Sequence, residues 1–156
     1  MFDLITYIWY YFFANKELRE YEKECFDFLL QVLCEKDKIK LEKQYEYFNL
    51  VQRPADGIKS LFFNTKNEDA RNWDEDLLFE NTKMDFKVLE GVLEAVAGDI
   101  KAEVKFEIYF HRGRFYSIDF KSSPEFFAGY ENFIIRSPKI YLEKESLSEF
   151  GKTLIS

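Results

Sequence analysis

The stretch "AEVKFEIYFHRGRFYSIDF", residues 102–120, alternates apolar and polar residues on both sides of one glycine. Alternation with a period of two is typical of strands that bury one face, and Gly113 marks the turn between two of them. A two-residue turn would place Arg112 at a positive φ, which side chains resist. A three-residue turn over residues 111–113 needs only the glycine there. We therefore expect an antiparallel hairpin with a three-residue turn and a G1 bulge.

The cross-strand pairs also favour the three-residue turn. It places Ile108 opposite Tyr116 on an apolar face, and Lys105 opposite Asp119 on the other face. Pairs of this kind each stabilise a hairpin by a few tenths of a kcal/mol, and a slip of one residue would mix the two faces.

The turn holds the chain's single histidine, His111, together with Arg112 and Arg114. Exposed turns carry polar residues by default, and the sequence names no nucleophile or carboxylate beside this histidine. We expect a small basic spot that provides a secondary partner contact, and we predict no catalytic residue here.

The patterns outside the hairpin place helices at both ends of the chain. Residues 17–35 have apolar side chains at helical spacing, and a last helix is expected from Ser146, with Glu149 completing a capping box. Between them the patterns predict strands over 38–51, 58–65 and 139–144, an acidic stretch with little regular structure over 67–82, and a central helix over 82–98 that Thr82 and Asp85 would cap and Gly98 would end. This order predicts a single α+β domain over residues 1–156, with a mostly antiparallel sheet, N-terminal helices, a central helix and a C-terminal helix.

The N-terminus carries an apolar run over residues 4–14. Asp3 stands where a signal peptide has basic residues, and the run is shorter than the roughly 20 residues that span a bilayer. We interpret it as a buried or interface-forming helix, and a homo-oligomer built through this helix is one alternative.

Composition limits the partners and the compartment. The formal net charge of -7 disfavours direct binding to nucleic acid and to anionic membranes, and it favours basic partners. Cys25 and Cys34 would be about 13 Å apart on one helix, too far for a disulfide, and two reduced thiols fit the cytoplasm.

Enzyme motifs are weak or missing. Asp99 followed by Glu103-x-Lys105 is similar to the pattern of metal-dependent nucleases, but a third of the chain is charged, and such pairs arise by chance. No metal-ligand spacing, phosphate-binding loop or nucleophile motif is present in the sequence. We therefore predict no enzyme activity, no metal and no cofactor.

Residues 68–80, called the acidic segment from here on, form the best candidate for partner binding. They hold six carboxylates, one arginine and Trp73. Interface hot spots favour an aromatic anchor, and clustered charge speeds association with an oppositely charged partner. The predicted partner-binding residues are Asp69, Trp73, Asp74, Glu75 and Asp76.

In its overall character, small, acidic and without enzyme motifs, the chain resembles the immunity proteins of bacterial toxin–immunity pairs. That resemblance implies a cytoplasmic protein that blocks a toxin domain, frequently a basic nuclease, and no functional residues are carried over from it. The alternative is an α+β domain that binds an apolar or aromatic small molecule in an aromatic-lined pocket, since 19% of the chain is aromatic. We expect that one core cannot hold all of these rings and that some lie at the surface.

Overall fold

The computed structural model describes residues 17–54, 58–64, 73–97, 99–127, 129–130 and 132–155. The described residues form three α-helices and one six-stranded sheet, which confirms the predicted α+β class. The predicted N-terminal helix over residues 4–14 lies outside them. In chain order the elements are α1 (Glu20–Val32), α2 (Glu35–Tyr47), β1 (Leu50–Gln52), β2 (Lys59–Phe63), β3 (Phe86–Ala97), β4 (Ile100–His111), β5 (Arg114–Phe120), β6 (Phe133–Ile140) and α3 (Glu149–Ile155).

The sheet has the strand order β1-β2-β5-β4-β3-β6, and all of its neighbouring strands are antiparallel. One face buries apolar residues in register: Leu93 lies opposite Val104, and Ile108 lies opposite Ile118. The helices pack against this face and complete one core, in which α1 contacts β3 and β6 and α2 contacts β5. The other face carries charged residues at the intervening positions.

The predicted central helix over 82–98 is wrong, because residues Phe86–Ala97 form the long central strand β3. Its Leu89 and Leu93 spacing fits a helix, but both residues belong to an alternating pattern that faces the core. Gly91 allows the close pairing of β3 with β4, since a Cβ at this position would lie only 3.1 Å from the ring of Phe106 on β4. Pairing with β4 on one side and β6 on the other decides the conformation of this segment.

The predicted strand over 38–51 is also wrong in most of its length, because α2 runs to Tyr47 and only Leu50–Gln52 is a strand. The side chains of α2 that are buried, Leu41 and Gln44, are three residues apart on one helical face. The predicted strand over 58–65 is confirmed as Lys59–Phe63.

The predicted hairpin is confirmed, but its turn has two residues. Arg112 and Gly113 have φ values of 50° and 79°, and His111 pairs with Arg114. One extra residue, Tyr116, then shifts the register, so Ile108 lies opposite Ile118 instead of Tyr116. The three-residue turn is therefore wrong: hydrogen bonds from distant segments hold the two-residue turn and outweigh the local cost of a positive φ at Arg112.

The C-terminal helix is confirmed, although it begins at Glu149 and not at Ser146. The Ser148 hydroxyl accepts the Gly151 amide at 3.0 Å, as an N-cap does. The predicted strand over 139–144 is wrong for most of its length, because only residues 139 and 140 are strand; they end β6, which begins at Phe133.

Both cysteines are free thiols, as predicted, but Cys34 lies between α1 and α2 and not on one helix with Cys25. Complete burial raises the pKa of the Cys25 thiol well above its ordinary value. In the described ranges no helix is both long and apolar enough to cross a bilayer.

Candidate functional site

The described part of the acidic segment begins at Trp73 and contains a short 3₁₀ helix, Glu75–Leu77. The side chains of Asp74, Glu75, Asp76 and Glu80 are exposed, and none of them forms an ion pair with another described residue. Four carboxylates therefore face solvent. Asp69, the first of the predicted contact residues, lies outside the described residues.

Trp73, which the sequence predicts as an aromatic contact residue, is buried. Its side chain is only 5% exposed, and its ring centroid lies 4.5 Å from that of Tyr47 and 5.5 Å from that of Phe48. These contacts tie the acidic segment to the end of α2. The buried ring thus fixes the backbone next to the exposed carboxylates, and it is not itself part of the exposed surface.

The structure brings the hairpin turn and the acidic segment together, although they are far apart in sequence. The Phe79 amide donates to the carbonyl of Gly113 at 2.9 Å, and the Arg112 amide donates to the carbonyl of Lys83 at 2.9 Å. A Cβ at Gly113 would lie 2.8 Å from the Phe79 carbonyl oxygen, so only glycine fits here without a shift. The turn is therefore a docking point for the segment and not a free tip.

Gln44 on α2 joins the hairpin turn to the acidic segment, and it is not among the residues predicted from the sequence. Its side chain is completely buried, and its amide nitrogen donates to the carbonyls of Leu77 at 2.5 Å and Gly113 at 2.9 Å. Its amide oxygen accepts the Phe115 amide at 2.8 Å. A polar residue in the apolar stripe of a helix is the signal that points to such a buried hub.

The three basic residues of the turn have separate environments. The His111 ring lies 5.0 Å from that of Tyr116, and its Nδ1 is 3.6 Å from a carboxylate oxygen of Asp85. The Arg114 guanidinium lies 5.4 Å from the Trp73 ring centroid, in cation–π geometry. The Arg112 side chain alone is exposed. Two of the three side chains thus contact neighbouring elements of the protein itself.

A groove with a volume of about 680 Å³ separates α2 from the acidic segment. One side carries lysines of α2, and the opposite side carries carboxylates of the acidic segment. Apolar side chains from both elements also line the groove, and the Lys40 ammonium is 5.7 Å from the Phe79 ring. The lining includes three lysines, three carboxylates and three apolar residues: Lys36, Lys40 and Lys43, Glu75, Asp76 and Glu80, and Ile39, Leu78 and Phe79.

A second buried polar cluster surrounds Glu22 of α1. Its completely buried carboxylate accepts the Arg19 amide at 2.9 Å, the guanidinium of Arg53 and the hydroxyl of Ser60. Every polar group here has a partner, and the cluster ties α1 to β2. It therefore serves the fold.

The charged face of the sheet is also internally paired. Glu90 lies opposite Glu107 on neighbouring strands, and the ammonium of Lys87 bridges them at 2.7 and 3.8 Å. Burial disfavours the charged form of Glu107, but hydrogen bonds from Lys121 and Tyr109 and the Lys87 charge outweigh burial and lower its pKa. The hydrogen bond to Glu107 in turn raises the pKa of Tyr109 to about 12. These groups hold one another in their charged or protonated forms and leave no activated base or nucleophile.

The pattern similar to nucleases does not form a cation site in the described ranges. Glu103 pairs with Arg136 at 2.9 Å, and Lys105 is exposed. Among the described residues, no group of three or more histidine, cysteine, aspartate or glutamate residues could hold a metal ion.

Comparisons with family models, with curated proteins and with solved structures gave no match to this chain.

Most of the described aromatic rings contact other rings in the core, while Phe126 and Phe150 are 47% and 44% exposed. A pocket of about 550 Å³ lies where the start of α1 meets residues 125–130. Three of its lining residues are aromatic: Tyr21, Phe127 and Tyr130.

Proposed function

We propose that this protein binds a basic protein partner through its acidic segment and neutralises it, without catalysing a reaction. The observation that carries the proposal is the exposure of Asp74, Glu75 and Asp76 on a backbone that Gln44 and Gly113 anchor directly after them, through hydrogen bonds to Leu77 and Phe79. Carboxylates on an anchored segment lose little conformational freedom on binding. Their charge therefore contributes to association with less entropic cost than it would on a free loop.

The net charge of -7 supports the same proposal. Attraction over the whole surface speeds encounter with a basic partner, and the acidic segment then provides the local contacts. The overall resemblance to immunity proteins makes a toxin domain, often a basic nuclease, the partner class we propose. The same resemblance implies that the protein acts in the bacterial cytoplasm.

The test is capture of partners on the immobilised protein from a lysate of its native host, with wild type and the D74K/E75K/D76K variant in parallel. We expect wild type to retain a basic protein and the variant to bind it roughly tenfold to a hundredfold more weakly, since each surface ion pair contributes up to about 1 kcal/mol. The three side chains are exposed, so the variant should fold normally.

A matched control reverses three other exposed carboxylates, Glu42, Glu143 and Glu145, which gives the same net charge. The control should keep most of the affinity. If both variants lose it equally, the acidic segment has no special role, and if no basic protein is captured by wild type, the proposal is wrong.

The aromatic pocket supports the second candidate, binding of an aromatic small molecule. Tyr21, Phe127 and Tyr130 line it, and Arg19 adds a cationic group at its edge. A thermal-shift screen with aromatic metabolites should then find a compound whose stabilisation is lost in Tyr130→Ala and retained in Tyr141→Ala, a tyrosine on a different surface. If no compound stabilises the protein, this candidate is excluded.

A further inference from the structure

The groove between α2 and the acidic segment is lined by three kinds of side chain. Lys36, Lys40 and Lys43 lie on one side because spacings of four and three residues fall on one helical face. Carboxylates of the acidic segment line the other side, and each side also contributes apolar groups, Ile39 from α2 and Leu78 and Phe79 from the acidic segment. None of these lysines forms an ion pair with another described residue, so both rows remain open to a ligand.

We propose that this groove receives a single amphipathic helix of the basic partner. The inference rests on the proposed function and specifies which element of the partner binds. Because Trp73 is buried, the protein offers no exposed aromatic anchor in its described acidic residues, and the apolar anchor must come from the partner. Ile39, which is 42% exposed, and the half-buried Leu78 would receive it, while Phe79 also lines the groove but is only 7% exposed.

Backbone hydrogen bonding favours a helix over an extended segment. A bound strand needs unpaired main-chain groups along the groove, but the backbone of α2 is hydrogen-bonded within the helix. On the other side, the amides of Leu77, Leu78 and Phe79 already donate to carbonyls of the protein. A helix satisfies its own backbone and presents only side chains, so it fits a groove of this kind.

The charges also fix the pattern and direction of the bound helix. Its apolar seam would face Ile39 and Leu78, its basic flank the carboxylates, and its acidic flank the lysines. The lysine row spans about 10 Å of α2, so about two turns of the partner helix make these contacts. Reversing the helix would bring like charges together on both sides, and the bound direction is therefore unique.

Two synthetic helical peptides of equal length test the inference. Both have a leucine seam, but the first has arginines on one flank and glutamates on the other, and the second has arginines on both flanks. Fluorescence anisotropy at physiological salt gives the dissociation constants. We expect wild type to bind the first peptide roughly tenfold more tightly, because each matched or mismatched charge changes affinity by about two- to threefold.

Variants locate the binding. K36E/K40E/K43E should weaken the first peptide by roughly tenfold, and Ile39→Asp should weaken both peptides. The control K23E/K105E/K144E reverses three exposed lysines outside the groove and should leave the affinity within about twofold, since distant exposed charges are screened.

Two results would overturn the helix inference and leave the proposed function standing. One is tighter binding of the all-basic peptide to wild type, which general acidic attraction predicts. The other is an equal loss in the groove and control variants. Absence of binding by both peptides also overturns the inference. The proposed function is decided by the capture experiment alone: it fails if wild type captures no basic protein, or if D74K/E75K/D76K weakens capture no more than its matched control does.

Discussion

Gln44→Leu is the sharpest test of how the acidic segment is held. The substitution keeps nearly the same volume and removes three hydrogen bonds, those to the carbonyls of Leu77 and Gly113 and that from the Phe115 amide. The Gly113 carbonyl keeps its bond from Phe79, so two groups lose their partner. β2 pairs with β5 only at residues 117–119 and cannot replace the bond to Phe115.

Each buried backbone group left without a partner costs about 1–3 kcal/mol, and the added leucine methyl groups recover part of the loss. We expect the free energy of unfolding to fall by about 3 kcal/mol. With a urea m-value of about 2 kcal/mol/M, the unfolding midpoint then falls by roughly 1.5 M at an unchanged slope.

The assay is urea unfolding followed by circular dichroism, with amide hydrogen exchange as a second measurement. Exchange of the Phe115 amide should accelerate far more than that of core amides such as Ile108. Gln31→Leu makes the same change on the exposed face of α1 and should cost less than about 0.5 kcal/mol. A loss below about 1 kcal/mol for Gln44→Leu would refute the assignment of Gln44 as the hub.

Three further changes test other contacts. Gly113→Ala and Gly129→Ala both place alanine at a positive φ, but only at 113 would the Cβ lie 2.8 Å from a backbone oxygen. The melting temperature of Gly113→Ala should therefore fall much further than that of Gly129→Ala. Equal falls would contradict the packing of the turn against Phe79. Trp73→Ala should cost about 3–5 kcal/mol in denaturant unfolding, and an unchanged midpoint would show that the ring is not in the core. The pKa of Glu107 is lower in the folded protein than in the unfolded chain, so its charged form stabilises the folded state at pH values above the ordinary glutamate pKa. This stabilisation is lost as the pH falls through the pKa of Glu107 in the folded protein. The difference in unfolding free energy between wild type and Glu107→Gln should therefore shrink below about pH 5. Parallel pH profiles would contradict it.

Local sequence pattern predicted an element correctly where the tertiary contacts of the segment favour the same conformation as the pattern. α1 has a charged face and an apolar face, and β4 and β5 alternate around a glycine turn. In Phe86–Ala97 the apolar spacing fits a helix and a strand about equally, and strands on both sides settle the matter. Pairing with strands that are distant in sequence cannot be predicted from the local residue pattern alone.

The candidate site was predictable only in part. The carboxylates at residues 74–76 were identified from charge clustering, and they are exposed. The burial of Trp73, the hub at Gln44 and the lysine row across the groove were not identified. Each of these features depends on α2, and because the pattern over residues 38–51 predicts a strand, it gives no indication of the helical face that forms one side of the site.

The amino-acid sequence by itself determined the α+β class, the acidic charge, the hairpin and the position of the exposed carboxylates, because these follow from composition and from periods of two and 3.6 residues. Tertiary structure alone decided the two-residue turn at Arg112 and Gly113. An arginine at a positive φ is unfavourable locally, and the hydrogen bonds of this turn to Lys83, Phe79 and Gln44 outweigh that cost. Those partners lie about 30 to 70 residues away, and only the folded chain brings them within 3 Å.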